Sequence, residues 1–323
     1  MSDERWPGEL HPEARALLDA FDAQGVQPFD RMSVLQARVS VAASTRVQGP
    51  RPEVADVRDL LVPAGAGRLP VRVYRPVPGE VRPVLVYLHG GGFVTGSVAV
   101  ADRACRALAL AAGCVVVSVE YRLAPESPFP GPLDDAVAAV RWVAARAGEL
   151  GVDAGRLVVA GDSAGGALAA AAVRVLRDEG GPAVARQLLV YPTLAPVRGR
   201  TTPSLEENGE GYSLTRGALE WFWDHHLARP EDATDPLAAP LLAAEADLAG
   251  LPPATVVVAE FDPLRDDGIA YAERLAAAGV DVTLHRVPGA IHGFWWMAGA
   301  LSQAGELTAW LGGHLRATWD QPA

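Results

Sequence analysis

From about residue 55 onward, short runs of β-branched and other apolar residues alternate with longer stretches rich in alanine, leucine and arginine. This alternation predicts an α/β fold with a mostly parallel sheet, because parallel strands are buried on both faces and are connected by helices. The apolar runs predict eight strands, at residues 59–62, 69–74, 84–88, 114–119, 157–160, 188–191, 254–259 and 282–287. The stretches between and after them predict flanking helices at residues 102–112, 133–147, 164–178, 268–278 and 302–316.

Two regions depart from this alternation. Residues 1–45 predict two helices, at 11–23 and 29–39, and residues 201–230 form an insertion that contains the aromatic run Trp221, Phe222 and Trp223. We expect the two regions to form a helical cap over the carboxyl edge of the sheet, where open α/β sheets bind ligands. The predicted organisation is therefore N-terminal cap helices (1–45), a core in two parts (46–200 and 231–323) and a cap insertion (201–230) between those parts.

The composition excludes several classes of protein. The formal net charge of −11 argues against nucleic acid and anionic membranes as partners. The uncharged stretch 83–101 contains three consecutive glycines, so it predicts a core strand entering a loop, without stable membrane insertion. The first ten residues lack the basic start and apolar core of a secretory signal, so a cytoplasmic location is expected. The two cysteines, Cys105 and Cys114, have neither a metal-type nor a redox-type spacing.

The segment Gly161-Asp162-Ser163-Ala164-Gly165-Gly166 contains the strongest local motif. It is a G-x-S-x-G sequence between a predicted strand and an alanine-rich predicted helix, the context that this motif requires. Small residues on either side allow a sharp turn with Ser163 at its tip, and the amides at the helix start can stabilise a developing negative charge. A tight helix start without chemistry is the alternative, and this context favours a nucleophile.

A glycine loop, His89-Gly90-Gly91-Gly92-Phe93, follows the strand predicted at 84–88. Its N–H groups can face a substrate oxygen without an intervening Cβ, which predicts an oxyanion hole. A flexible turn is the simpler alternative. A phosphate-binding loop does not fit, because the G-x-x-x-x-G-K-[ST] motif is absent.

The general base must be one of seven histidines. His292 follows the last predicted strand in a loop that can reach over the sheet edge, and the chain order serine, aspartate, histidine is that of α/β-hydrolases. His285 lies inside that predicted strand and is interpreted as structural, and the other five lie in helices, in the glycine loop or near the chain start.

The acid that orients the base is expected between the nucleophile and the base, after a strand end. Asp262 is the first aspartate after the strand predicted at 254–259, whereas Asp266 and Asp267 precede a helix and are interpreted as its caps. A calcium loop does not fit, because the D-x-[DN]-x-[DN]-G spacing is absent.

Taken together, the motifs resemble those of the hormone-sensitive-lipase-like branch of the α/β-hydrolases. The matching segments are HGGGF (89–93), YRLAPE (121–126), FPGPLDDA (129–136), GDSAGG (161–166), DPLRDDG (262–268) and HGF (292–294). The resemblance covers roughly residues 50–318. It implies an α/β-hydrolase fold with a helical cap, a triad of Ser163, Asp262 and His292, and oxyanion donors from Gly91, Gly92 and Ala164. It also implies scaffold roles for Tyr121, Arg122, Glu126 and Asp135.

The resemblance implies cofactor-free and metal-free hydrolysis of short- to medium-chain acyl esters through an acyl-enzyme intermediate. Three aromatic residues, Phe93, Trp221 and Phe294, are predicted to bind the substrate, and Trp295 and Trp296 beside His292 predict a pocket too short for long acyl chains. An amide, carbamate or lactone substrate stays open, because the same triad acts on each of them. A non-catalytic receptor of the same fold is a further alternative, and a homodimer is left open.

Overall fold

The computed structural model describes residues 8–65 and 67–319. The first seven residues of the predicted cap (1–45) and the last four of the predicted second core part (231–323) lie outside the described residues.

The described residues form one eight-stranded sheet, as predicted from the apolar runs. The strands are β1 (Asp56–Ala64), β2 (Gly67–Arg75), β3 (Arg82–Leu88), β4 (Val115–Val119), β5 (Val152–Asp162), β6 (Arg186–Val190), β7 (Ala254–Phe261) and β8 (Val282–Ile291). Their order in the sheet is β1-β2-β4-β3-β5-β6-β7-β8. Only β2 runs antiparallel to its two neighbours, and β3 to β8 are parallel. The carboxyl ends of β5, β7 and β8 therefore meet at the same edge.

Helices cover both faces of the sheet. They are α1 (Pro12–Ala23), α2 (Val34–Ala43), α3 (Val98–Ala112), α4 (Gly131–Ala145), α5 (Ala147–Leu150), α6 (Ala164–Asp178), α7 (Pro203–Asn208), α8 (Arg216–His226), α9 (Glu245–Leu248), α10 (Arg265–Ala277) and α11 (Ser302–Trp319). Successive residues of β3 alternate between the two faces: Val84 and Val86 pack with α4, α6 and α10, and Leu85 and Tyr87 pack with α3 and α11. Because successive side chains of a strand point to opposite faces, the sheet has one apolar core on each face.

A third and smaller apolar cluster joins the two predicted cap regions. Leu205, Leu219 and Phe222 of the insertion pack with Val94 and Leu264, which lie in loops at the carboxyl edge of the sheet. Phe29 of the N-terminal region packs on Phe222, with 5.0 Å between the ring centroids. A helical cap therefore covers this edge.

The second N-terminal helix begins later than the predicted residue 29. Ser33 and Gln36 form a capping box, in which each side chain pairs with the other's backbone N–H, and α2 therefore begins at Val34. Residues Phe29–Arg31 form a separate 3₁₀ turn after Pro28. No helix within the described ranges is long and apolar enough to cross a membrane.

Candidate active site

Ser163 lies in a strained turn between β5 and α6. Its backbone has φ 53° and ψ −117°, an unusual conformation for a residue with a side chain. A Cβ added at Gly161 would collide with the carbonyl of Gly165, and one added at Gly165 would collide with the carbonyl of Leu88. The motif glycines are therefore required because the backbone segments approach closely here, and they leave Ser163 at the tip of the turn.

The three residues predicted as a triad lie in hydrogen-bond contact. His292 Nε2 lies 3.1 Å from Ser163 Oγ, and His292 Nδ1 lies 2.7 Å from Asp262 Oδ2. Asp262 is fully buried, and its second oxygen accepts the N–H of Leu264 at 2.8 Å. When Nδ1 donates to the carboxylate of Asp262, Nε2 has a free lone pair that can accept the hydroxyl proton of Ser163.

The other two candidate acids point away from His292. Asp267 accepts two hydrogen bonds from Arg200, at 3.0 and 2.7 Å, and Asp266 accepts the N–H of Ser204 at 2.7 Å. The interpretation of Asp266 and Asp267 as caps is wrong, because α10 already begins at Arg265 and no side chain caps it. Asp266 instead connects α10 to Ser204 of the cap insertion, and Asp267 connects α10 to Arg200, directly before that insertion.

The three backbone N–H groups predicted to bind a substrate oxygen lie in the glycine loop and at the start of α6. Among the described residues, no group accepts a hydrogen bond from the N–H of Gly91, Gly92 or Ala164. A Cβ at Gly92 would overlap the ring of Phe222, so helix α8 of the cap lies directly on the glycine loop. The turn, the loop and the cap therefore meet at one place.

Asp162 connects the glycine loop to the serine turn. Its buried carboxylate accepts hydrogen bonds from the Tyr87 hydroxyl and from the N–H of Gly90, the latter at 2.8 Å. Burial raises the pKa of Asp162 to about 6, although these two hydrogen bonds oppose the shift. Sequence reasoning interpreted Asp162 only as a part of the serine motif, since the partners of a buried carboxylate are far away in the chain.

The predicted scaffold residues contact the same loop and its neighbours. The Tyr121 hydroxyl donates to the carbonyl of His89 at 2.6 Å. Arg122 pairs with Asp135 through two hydrogen bonds of 2.8 and 2.9 Å, and Glu126 pairs with an arginine of the cap helix α2. Burial also lowers the pKa of His89 to about 4, so its imidazole is neutral around neutral pH.

The residues predicted to bind substrate differ in exposure. Phe93 and Phe294 are buried, with Phe93 stacked on His226 at 3.7 Å between ring centroids, whereas Trp221 is partly exposed on α8. Trp295 is also buried, and its indole N–H donates to Thr308 at 2.9 Å. Direct contact of these side chains with a substrate stays a prediction.

Sequence reasoning missed Tyr191, which follows β6. Its ring packs against the His292 imidazole, with 4.8 Å between centroids, and its backbone has φ 35°. The sequence predicts neither feature, because Tyr191 is simply the last residue of the strand predicted at 188–191. Within residues 8–65 and 67–319, no group of three histidine, cysteine or acidic residues is placed to hold a metal ion.

A family model described as the α/β-hydrolase fold matches residues 85–296, which is more than half of the chain. The chain belongs to the α/β-hydrolase family. Within this family it belongs to the hormone-sensitive-lipase-like branch. The positions of Ser163, Asp262 and His292 in this α/β-hydrolase, at the ends of β5, β7 and β8, agree with the motif order of the family.

Several known relatives of this α/β-hydrolase are esterases. It is 44% identical over 256 residues to the esterase LipI of Mycobacterium tuberculosis, an alignment that covers 78% of this chain and 79% of LipI. It is 39% identical to an ethyl acetate hydrolase of Pseudomonas putida, over 92% of this chain and 95% of the relative. Among solved structures, a hyperthermophilic esterase of Pyrobaculum calidifontis has a TM-score of 0.91 at 40% identity, covering 96% of this chain and 99% of that one.

Proposed function

We propose that the chain is a serine carboxylesterase that hydrolyses short- to medium-chain acyl esters through an acyl-enzyme intermediate. Membership of a carboxylic ester hydrolase family supports the reaction class. The observation that carries the proposed mechanism is the position of His292, which contacts Ser163 Oγ through one ring nitrogen and Asp262 through the other.

Acylation starts with the attack of Ser163 Oγ on the ester carbonyl carbon while His292 Nε2 takes the hydroxyl proton. Asp262 holds the imidazole in the required tautomer and stabilises the imidazolium. The negative charge on the former carbonyl oxygen is then stabilised by the N–H groups of Gly91, Gly92 and Ala164. When the tetrahedral intermediate collapses, the C–O bond to the alcohol breaks and His292 gives its proton to the leaving alkoxide.

Deacylation repeats these steps with water. His292 removes a proton from a water molecule as that molecule attacks the acyl-enzyme, and the second intermediate uses the same three N–H groups. Collapse releases the carboxylic acid and returns the proton to Ser163. The reaction is balanced without an oxidant, a reductant or any other co-reactant.

Two observations support a substrate with a small acyl group. The aromatic cap helix α8 lies directly on the glycine loop, because the Phe222 ring fills the place where a Cβ of Gly92 would lie. One relative is an ethyl acetate hydrolase, and it aligns over nearly its whole length. A cytoplasmic location and assembly as a homodimer stay predictions.

The test of this proposal is the Ser163→Ala variant on p-nitrophenyl acetate and butyrate. We expect kcat to fall by about 10⁴-fold or more, because the nucleophile is lost while binding groups remain. A fluorophosphonate probe should label the wild-type protein at Ser163 and should not label the variant. Circular dichroism provides the control for folding, and a folded variant that keeps its activity would contradict the assignment.

A further inference from the structure

A bulge between β7 and β8 determines which residues face each other at the active-site edge. Ala259 pairs with Val287, but Phe261 pairs with Ile291, so two steps along β7 correspond to four steps along β8. With an unbroken register, Asp262 would lie opposite Ala290. The two additional residues in β8 bring His292 beside Asp262, and His292 Nδ1 lies 2.7 Å from Asp262 Oδ2. Bulges redirect side chains in this way near active sites.

The side chain of Glu260 holds this bulge. It is 3% exposed, and its Oε2 accepts the N–H of Gly289, in the middle of the bulge, at 2.7 Å. A bulge leaves backbone groups without partners in the strand ladder, so a buried N–H here requires another acceptor. Glu260 supplies that acceptor from the opposite strand.

The same carboxylate also contacts the N-terminal segment. Glu260 Oε1 accepts the N–H of Gly8 at 2.8 Å, and the N–H of His11 donates to the carbonyl of Gly289 at 3.0 Å. On the other side, Gln303 Nε2 donates to the carbonyl of Pro288 at 2.6 Å. The bulge is therefore fixed from β7, from the start of the cap and from α11.

We propose that Glu260 is a positioning residue for His292, acting through the bulge, and that it makes the position of His292 depend on the docking of the N-terminal segment. This inference rests on the proposed function of His292 as the general base. Glutamine cannot replace Glu260, because its amide has one acceptor oxygen where two N–H groups must be accepted. Either the buried N–H of Gly289 or the part-buried N–H of Gly8 would then face an NH₂ group and lose its hydrogen bond.

The first experiment compares Glu260→Gln with wild type on p-nitrophenyl butyrate. A small displacement of a catalytic group can reduce the rate by about 100-fold, so we expect kcat to fall by about 10- to 100-fold, with KM changed by less than about threefold. The rate of fluorophosphonate labelling at Ser163 should fall in parallel, because it also depends on His292. A loss of stability alone would lower the melting temperature without this division between kcat and KM.

Glu207→Gln is the matched control. Glu207 lines the same cavity of about 420 Å³ as Glu260, but it pairs with Arg265 and contacts no atom of the bulge. This control should retain kcat within about twofold, since it removes the same charge without a bulge contact. An equal loss of kcat in both variants would show that the charge of the cavity matters rather than the bulge, and would overturn the proposal.

The second experiment tests the link to the N-terminal segment with Gly8→Pro. Proline has no N–H for Glu260 to accept and cannot adopt the φ of 77° that Gly8 has, so this change releases the segment from Glu260. In the wild-type background kcat should fall severalfold, whereas in the Glu260→Gln background the same change should have little further effect. Additive effects would overturn the link between the segment and His292. If Glu260→Gln fails to fold, an unchanged kcat in folded Gly8→Pro overturns the link by itself.

His292→Ala in the same assays separates the two proposals. If His292→Ala keeps its activity, the proposed function is wrong and the role of Glu260 is wrong with it. If His292→Ala is inactive while a folded Glu260→Gln is as active as wild type, only the role of Glu260 is overturned.

Discussion

The carboxyl edge of the sheet and the cap above it hold their residues by different means. At the sheet edge, Ser163 and Asp262 are 8% and 0% exposed and are fixed by backbone contacts from neighbouring strands. In the cap, Leu35 and Val39 of α2 are 72% and 61% exposed. The polar contacts of α2 with the core are made by Arg38, which donates to the carbonyls of Val94 and Ala124 and pairs with Glu126.

This difference indicates a division of tasks. The reacting groups need positions fixed to a fraction of an ångström, and a buried strand edge provides them. A cap held by a small apolar cluster and by polar contacts opens at a lower free energy than the buried sheet, as a cover for the site requires. Changes at the sheet edge should therefore affect kcat, and changes in the cap should affect substrate selection.

The largest expected effect is the loss of kcat in Asp262→Asn, which should distinguish Asp262 from the two neighbouring aspartates, Asp266 and Asp267. Asp262→Asn keeps the shape of the side chain but permits the wrong tautomer of His292, which should lower kcat by about 10⁴-fold. Asp266→Asn weakens a contact to the cap insertion and Asp267→Asn weakens the pair with Arg200, so kcat should stay within about tenfold. Asp267→Asn should cost about 2 kcal/mol of stability, because Arg200 loses a charged partner.

The measurement is kcat/KM for the three variants on one butyrate ester, with thermal melting to identify misfolding. Our comparison fails if Asp262→Asn retains most of its activity while a well-folded Asp266→Asn or Asp267→Asn is inactive.

A smaller effect is expected at the junction between the two parts of the cap. Phe29→Ala removes the ring that packs on Phe222, and the Phe222 ring covers Gly92. We expect a severalfold change in KM and a shift in acyl-chain preference, with kcat within about threefold, because the triad is not contacted. A series of p-nitrophenyl esters of increasing chain length measures this.

Val26→Ala is the control for this change, because Val26 lies in the same segment and is 48% exposed. It should leave the chain-length profile unaltered. A Phe29→Ala profile identical to that of Val26→Ala would mean that the junction has no influence on substrate selection.

The smallest effect concerns the pH dependence of stability. Burial lowers the pKa of His226, which stacks on Phe93, from 6.5 to about 3. Its stabilising contribution is therefore complete above about pH 6.5 and is lost as the pH falls towards 3, because the unfolded state binds a proton that the folded state excludes. The slope is about 1.4 kcal/mol per pH unit.

His226→Phe keeps the aromatic stack and removes the titrating group. Urea unfolding at pH 8, 6, 5 and 4 should show a shallower loss of stability for this variant than for wild type, and a parallel loss in both proteins would contradict the shift.

The sequence is sufficient to predict the strands and the proximity of Ser163, Asp262 and His292, because both predictions depend on local patterns and on motif order; the catalytic role of the three residues stays a prediction. Eight apolar runs predict the eight strands, and the motif order predicts that Ser163, Asp262 and His292 meet, as their side chains do. The sequence pattern places the start of α2 too early because Phe29–Arg31 also has a helical pattern and forms a 3₁₀ turn, although Ser33 and Gln36 have the spacing of a capping box.

Long-range partners were beyond sequence reasoning. Asp266 and Asp267 were interpreted as local caps, but their partners lie more than 60 residues away in the chain. Glu260 received no role, although a glutamate in the apolar run ATVVVAEF already required a buried partner. That partner, Gly289, becomes apparent only when the register between β7 and β8 is known.

The position of β8 at the edge of the described sheet bears on how long the enzyme stays active when it is heated. In the described sheet β8 is the last strand and pairs only with β7, yet it leads directly into His292. Peripheral elements of a protein open locally at a lower free energy than the centre of the fold. On heating, we therefore expect His292 to separate from Asp262 before β3 and β5 separate, so that activity is lost while most of the protein is still folded.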